Sequence, residues 1–239
     1  MISLALDSVH LSKWTNGKEQ FTIRDLNLDL NSREFTVLTG KNGCGKSLVM
    51  RIIGGLEIPD KGSIQYTNME TGKPLSPNDA TIGMLLQHPR SQVLGLTVED
   101  DLRLGNPQDA LDHALTWAGL SEKRFQDPST LSGGELARLI LAGIMMTKPK
   151  FILLDEPFGH LDFPGVRMVL ESIVELHNQG VGILLITHHL DQVLAHTTRI
   201  ILMKEGKIVA DGIPERILPF LEDHGVKRPA GKLEDMSWL

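Results

Sequence analysis

The stretch GKNGCGKS, residues 40–47, decides how this chain folds. It fits G-x-x-x-x-G-K-[ST], in which glycines let backbone N–H groups wrap a row of phosphates. The pattern has that meaning only where a strand runs into it and a helix leaves it. Both flanks comply. REFTVLTG, 33–40, is a short apolar run that stops at Gly40. KSLVMRIIGGL, 46–56, has helical spacing and is stopped by Gly54 and Gly55. Lys46 is then placed to reach the β- and γ-phosphates, and Ser47 to ligate Mg²⁺. Gly40, Lys41, Asn42, Gly43, Cys44, Gly45 and Leu48 complete the cradle.

Downstream, FILLDEP, 151–157, supplies a second half. Its apolar run puts Asp155 at the C-terminal end of a buried strand, where ligands of α/β sheets bind. Asp155 fits the carboxylate linked to Mg²⁺. Adjacent residues at a strand end point different ways, so Glu156 is available for a separate task, polarising a water towards the γ-phosphate.

The remaining chain alternates between the two periodicities. SLALDSVHLSKW, 3–14, and FTIRDLNLDLN, 21–31, alternate apolar and polar residues and read as half-buried strands. GSIQYTNM, 62–69, and TIGMLLQ, 81–87, are further strands. TVEDDLRLG, 97–105, and PQDALDHALTWAGL, 107–120, turn helical, with Thr97 and Asp100 as a variant capping box. Residues 133–147 are the longest apolar helix, 166–179 form another, and 190–195 a short one. GILLITHH, 182–189, is a buried strand, and RIILMKEGKIVADG, 199–212, a hairpin turning at Glu205-Gly206. The fold class is therefore α/β, with a mainly parallel core sheet and an antiparallel β-region. A helical lobe is inserted at about 97–129, bracketed by Asn106-Pro107 and by residues 126–129. Residues 1–223 form one domain. Residues 224–239 are a polar, irregular tail expected to fray.

Composition narrows the function. At 239 residues the chain can bury a full core. A net charge of −6 offers no basic stripe for nucleic acid. Cys44 is the single cysteine, so no intrachain disulfide forms and a reducing compartment suits the chain. The N-terminus lacks a positively charged region before an apolar run, so no signal peptide is expected. No apolar stretch approaches the roughly 18 residues of a membrane span, so work at a membrane requires partners that cross it. His113, His177, His196 and His224 lack metal-ligand spacing, and His88, His160 and His189 read as polar neighbours of motifs. Met145, Met146 and Met168 fall on apolar helical stripes and read as core.

One stretch is left over. TLSGGELARLI, 130–140, places a serine and two glycines before a helix, a second anion site in a chain that already has one. LSGGE, with the glycine-rich loop upstream and LLDEP downstream, resembles the ATPase subunits of ABC transporters, over about residues 3–220. The resemblance implies a P-loop NTPase fold of ABC ATPase type with ATP and Mg²⁺ as cofactors. It implies further site residues. Gln87 falls at the Q-loop and would orient Mg²⁺ and water. GHLD, 159–162, matches the D-loop and brings in Asp162. ITHH places His188 at the switch histidine. Trp14 would stack on adenine. Ser132, Gly133, Gly134 and Glu135 would close the nucleotide of a neighbouring subunit, so a second ATPase subunit is implied, identical or homologous.

A finer resemblance lies in QHPRSQVLGLTVEDDLRLG, 87–105. Gln87, Pro89, Gln92, Thr97, Val98 and Asp101 are similar to the pattern of cobalt-type and energy-coupling-factor importer ATPases. That implies an integral membrane coupling protein facing residues 91–95, a substrate-binding membrane component, and a place on the cytoplasmic face of the cell membrane. The cargo would be a vitamin or a transition-metal ion. The alternatives are an ATPase of another ABC transporter class or a non-transport ABC ATPase. The span between Ser47 and Leu131 is too short for the long coiled coil of chromosome-organising relatives. Three positions depart from the family: Glu135 where glutamine is commoner, Leu48 in place of a hydroxyl near the α-phosphate, and His160 in the D-loop.

Overall fold

The apolar runs FTVL, FILL and GILLI lie side by side in one sheet. A computed structural model describes residues 1–15, 18–76, 79–104, 110–159 and 161–239 of the chain, without the side chains of residues 14, 15 and 18–22. In chain order the strands are β1 Ile2–Thr15, β2 Lys18–Asn31, β3 Phe35–Gly40, β4 Lys61–Asn68, β5 Pro74–Leu75, β6 Ile82–Leu85, β7 Phe151–Asp155, β8 Gly182–Ile186, β9 Arg199–Lys204 and β10 Lys207–Gly212. The α-helices are α1 Lys46–Ile53, α2 Val98–Arg103, α3 Leu111–Trp117, α4 Gly133–Met146, α5 Phe163–Asn178 and the short α6 Pro214–Ile217.

Among the described residues the core sheet has six strands in the order β10-β9-β3-β8-β7-β6. Every pairing is parallel except the β9–β10 hairpin. A second, antiparallel sheet has the order β2-β1-β4-β5. Side chains alternate across the core sheet. Val37, Ile152, Leu154, Ile183 and Leu185 join one apolar cluster with α4 and α5. Leu38, Leu153, Leu184 and Ile186 join another with α1 and the antiparallel sheet. Both faces are covered, which is why these strands read as continuous apolar runs. Each fully buried Leu or Ile stabilises by roughly 1.5–3 kcal/mol.

The lobe has a core of its own, built from Val98, Leu102, Leu111, Leu115 and one face of α4. The opposite face of α4, with Ala137, Ile140 and Leu141, packs on the main core. Two apolar faces explain why α4 is the most apolar helix of the chain. Val93, Trp117 and Met145 pack against both clusters. Trp117 Nε1 also donates to Glu175 Oε2 on α5 at 2.8 Å. Thr97 caps α2 by accepting the Asp100 N–H. The shorter Asp100 side chain accepts from the Thr97 hydroxyl at 2.8 Å, an altered form of the box.

Four expectations are corrected. The tail does not fray: Val226 and Met236 are buried, and Leu233 and Trp238 pack on the main core. Ala195 N–H donates to Met236 O, and Trp238 N–H to Gln192 O, so the tail is tied by backbone as well as by apolar contact. Met168 is 45% exposed and belongs to the outer face of α5, not the core. The short helix at 190–195 is two 3-10 turns, Leu190–Gln192 and Leu194–His196. The helix expected from 166 begins at Phe163, because the Asp162 carboxylate accepts the Gly165 N–H and Pro164 tolerates the first turn. Asn106, Pro107 and His160 lie outside the described residues.

Candidate active site

The loop after β3 takes a shape that only glycine permits at its two ends. A Cβ on Gly40 would lie 2.3 Å from the Met203 carbonyl oxygen, and Gly45 has φ +107°. The Gly206 N–H donates to Cys44 O and ties the loop to the β9–β10 turn. No side chain caps the first turn of α1, and no acidic residue sits in it. That helix start keeps the positive end of its dipole for an anion. The Lys46 ammonium is buried and donates to Gly40 O at 2.7 Å, curling over the loop's own carbonyls. Cys44 lies beneath the loop, and burial pushes its thiol up in spite of Lys46 nearby.

Asp155 ends β7 and is 5% exposed. Burial pushes its carboxyl up, while a hydrogen bond from Ser47 pulls the other way. A buried carboxylate bonded to a hydroxyl is a hard-oxygen donor pair of the kind that suits Mg²⁺. Glu156 has φ +48°, a left-handed conformation rare for a residue with a Cβ. Its N–H is anchored on Ile186 O of β8 at 3.0 Å. The turn aims its carboxylate at His188, whose Nδ1 lies 2.9 Å from Glu156 Oε1. The His188 and His189 rings are 4.0 Å apart.

Lys46, Ser47, Gln87, Asp155, Glu156 and His188 line one cavity, together with Asn42, Gly43, Gly45 and Leu48. Gly40, Lys41 and Cys44 belong to the same loop but do not line the cavity. The Trp14 side chain lies outside the described residues. Its neighbour Lys13 lines the cavity and pairs with Glu57, whose carboxyl Lys13 holds below the usual range. The sequence reading missed Lys13, although its position beside Trp14 was a signal.

The finer pattern around Gln87 has a mechanical explanation. Gln92 accepts the Leu86 N–H at 2.7 Å and donates to Met84 O at 2.9 Å, which closes the loop behind Gln87. Asp101 accepts from the N–H groups of Leu94 and Gly95. Leu94 and Leu96, at the end of this loop, and Phe125 in the lobe leave their side chains exposed.

Ser132, Gly133, Gly134 and Glu135 do not line the cavity. They start α4, where Ser132 and Glu135 form a full capping box. A Cβ on Gly134 would lie 3.1 Å from Gly165 Cα, so the starts of α4 and α5 touch backbone to backbone. Asp162 also stands outside the cavity, as the cap of α5. Among the described residues no cluster of three metal-ligating side chains exists.

The family model described as ABC transporter matches residues 23–159. The chain is similar to the energy-coupling factor transporter ATP-binding protein EcfA of Methanosarcina acetivorans, 37% identical over 82% of this chain and 75% of that protein. It is similar to the cobalt import ATP-binding protein CbiO of Syntrophus aciditrophicus, 33% identical over 89% of this chain and 81% of that protein. Among solved structures, cbiO1 of Clostridium perfringens, part of the ABC transporter complex cbiONQ, superposes with a TM-score of 0.75 at 26% identity, over 90% of each chain. With this loop, these strand ends and these relatives, the chain belongs to the ABC transporter family, as one of its ATP-binding subunits that hydrolyse ATP.

Proposed function

We propose that this chain drives an importer of the energy-coupling-factor or cobalt type, taking up a vitamin or a transition-metal ion through membrane partners. One observation carries the reading: the residues for binding and hydrolysis converge on one cavity, while Ser132–Glu135 stand outside it. A second subunit, identical or homologous, brings its own α4 start to that cavity, and the two nucleotides are shared across the interface. Lys46 and the loop N–H groups bind the β- and γ-phosphates. Glu156 takes the proton of the attacking water, held in aim by His188. Gln87 orients the γ-phosphate and that water. Ser47, Asp155 and Gln87 would hold Mg²⁺, which would supply charge neutralisation on the phosphate oxygens.

The exposed Leu94, Leu96 and Phe125 meet the membrane coupling protein beside residues 91–95, so closure around the γ-phosphate moves the loop that touches the partner. No helix among the described residues is long and apolar enough to cross a membrane. The place of the chain's relatives in membrane transporter complexes supports a peripheral subunit on the cytoplasmic face. An uptake assay in a deletion strain tests this. Labelled cobalt, nickel or biotin should enter only when the wild-type chain is restored, and not with Glu156→Gln. Uptake of all three that ignores the deletion would count against the importer reading.

A further inference from the structure

Glu135 sits in the first turn of α4, whose N-terminal end carries about half a positive unit charge. Glutamate there supports the helix but opposes any anion drawn to the same end. Lys123 meets this opposition. It lies in the 3-10 turn Ser121–Lys123, on the connection from α3 to α4. Its Nζ donates to Glu135 Oε1 at 2.7 Å, while Oε2 accepts the Ser132 N–H at 3.0 Å. Both carboxylate oxygens are engaged, one by a full charge and one by the cap. The side chains are 35% and 21% exposed, more sheltered than the pairs that water averages away. A glutamine at 135 would make the same cap without a charge and would need no lysine.

We propose that Lys123 is a positioning residue for the shared nucleotide site. It cancels the charge of Glu135 and pins that carboxylate on the cap, which preserves an electropositive helix start for the γ-phosphate bound by a partner subunit. The proposal rests on the reading that α4 closes a neighbour's nucleotide. It explains how this chain carries glutamate at the fifth position of LSGGE.

The test is a cycle of purified full-length variants: Lys123→Gln, Glu135→Gln and the double variant. ATP dependence of turnover and nucleotide affinity at concentrations that keep the chain monomeric are both measured. Lys123→Gln should raise half-saturating ATP for turnover roughly three- to tenfold, the scale of a like charge within a Debye length that Arg138, one turn along α4, offsets only in part. Monomer affinity should not change, since Lys123 lies outside the chain's own cavity. In the Glu135→Gln background the same lysine change should have less than a twofold effect. Lys123→Arg should keep the wild-type profile, and melting curves check that each variant is folded. An equal loss in both backgrounds, or no loss in either, would overturn the role of Lys123. Ser132→Arg separates the two levels. If it leaves turnover intact, the shared-site reading fails; if it abolishes turnover while the cycle shows no coupling, only the Lys123 proposal fails.

Discussion

His188 Nδ1 stands 2.9 Å from Glu156 Oε1, so residues just beyond the ends of two neighbouring strands share a hydrogen bond within the cavity lining. The left-handed backbone at Glu156, tied to Ile186, makes the contact. Strain of this kind persists where surrounding structure enforces it, and it clusters at working sites.

Glu156→Gln should keep ATP binding and lose roughly 10²–10⁴-fold in turnover, the range for a general base. His188→Ala should also lower turnover. Because the two act as a unit, the double variant should lose far less than the product of the single losses. Phosphate release and fluorescent-nucleotide titration measure both quantities. Full turnover in Glu156→Gln would remove it from the base role.

Ser132→Arg should abolish hydrolysis while the same chain still binds ATP at Lys46. Equilibrium nucleotide binding to the monomer, set beside turnover at high protein concentration, reads the difference. Lost monomer affinity would mean that the start of α4 serves its own chain.

Met236→Ala should cost about 2–5 kcal/mol, the range for truncating a buried methionine. At about 2–4 °C per kcal/mol for a domain of this size, the melting temperature falls by several degrees. Calorimetry checks this, and a melting point within a degree of wild type would show that the tail adds no stability.

Cys44 should alkylate more slowly than a free thiol at pH 8. Burial raises its pKa in the folded chain, so its thiolate appears at higher pH than that of an unfolded cysteine. The sign for stability follows: the folded state favours the neutral thiol, and this contribution fades as pH climbs past the unfolded value. Iodoacetamide labelling of native and denatured protein across pH gives both curves, and matching curves would contradict the shielding.

The strands β3, β7 and β8 were legible because burial on both faces leaves an uninterrupted apolar run. The cavity was legible because its parts sit at strand ends and in a loop whose residue types the chemistry dictates. Other features carry no local pattern. The partnership of Lys123 with Glu135 spans the lobe's interior turn. The contact of Gly134 with Gly165 depends on how two helices meet. The tail looked polar because Leu233, Met236 and Trp238 are separated by Glu, Asp and Ser. Their apolar contacts lie on distant segments, where no periodicity shows. Met168 misled because its helical stripe runs beside the buried face and not along it.

Val93, Trp117 and Met145 bridge the lobe and the main core. They do so beside α4, one face of which packs in each core, so lobe and core meet along a whole helix. Val93 follows directly on the loop of Gln87, which lines the cavity, so the seam and the nucleotide site are joined by one short stretch of chain. Coupling free energies are reciprocal. On the importer reading proposed above, a partner that grips the exposed Leu94 and Leu96 changes the chain's hold on ATP by the same factor by which ATP changes that grip, and cargo waiting in the membrane would be felt as nucleotide affinity.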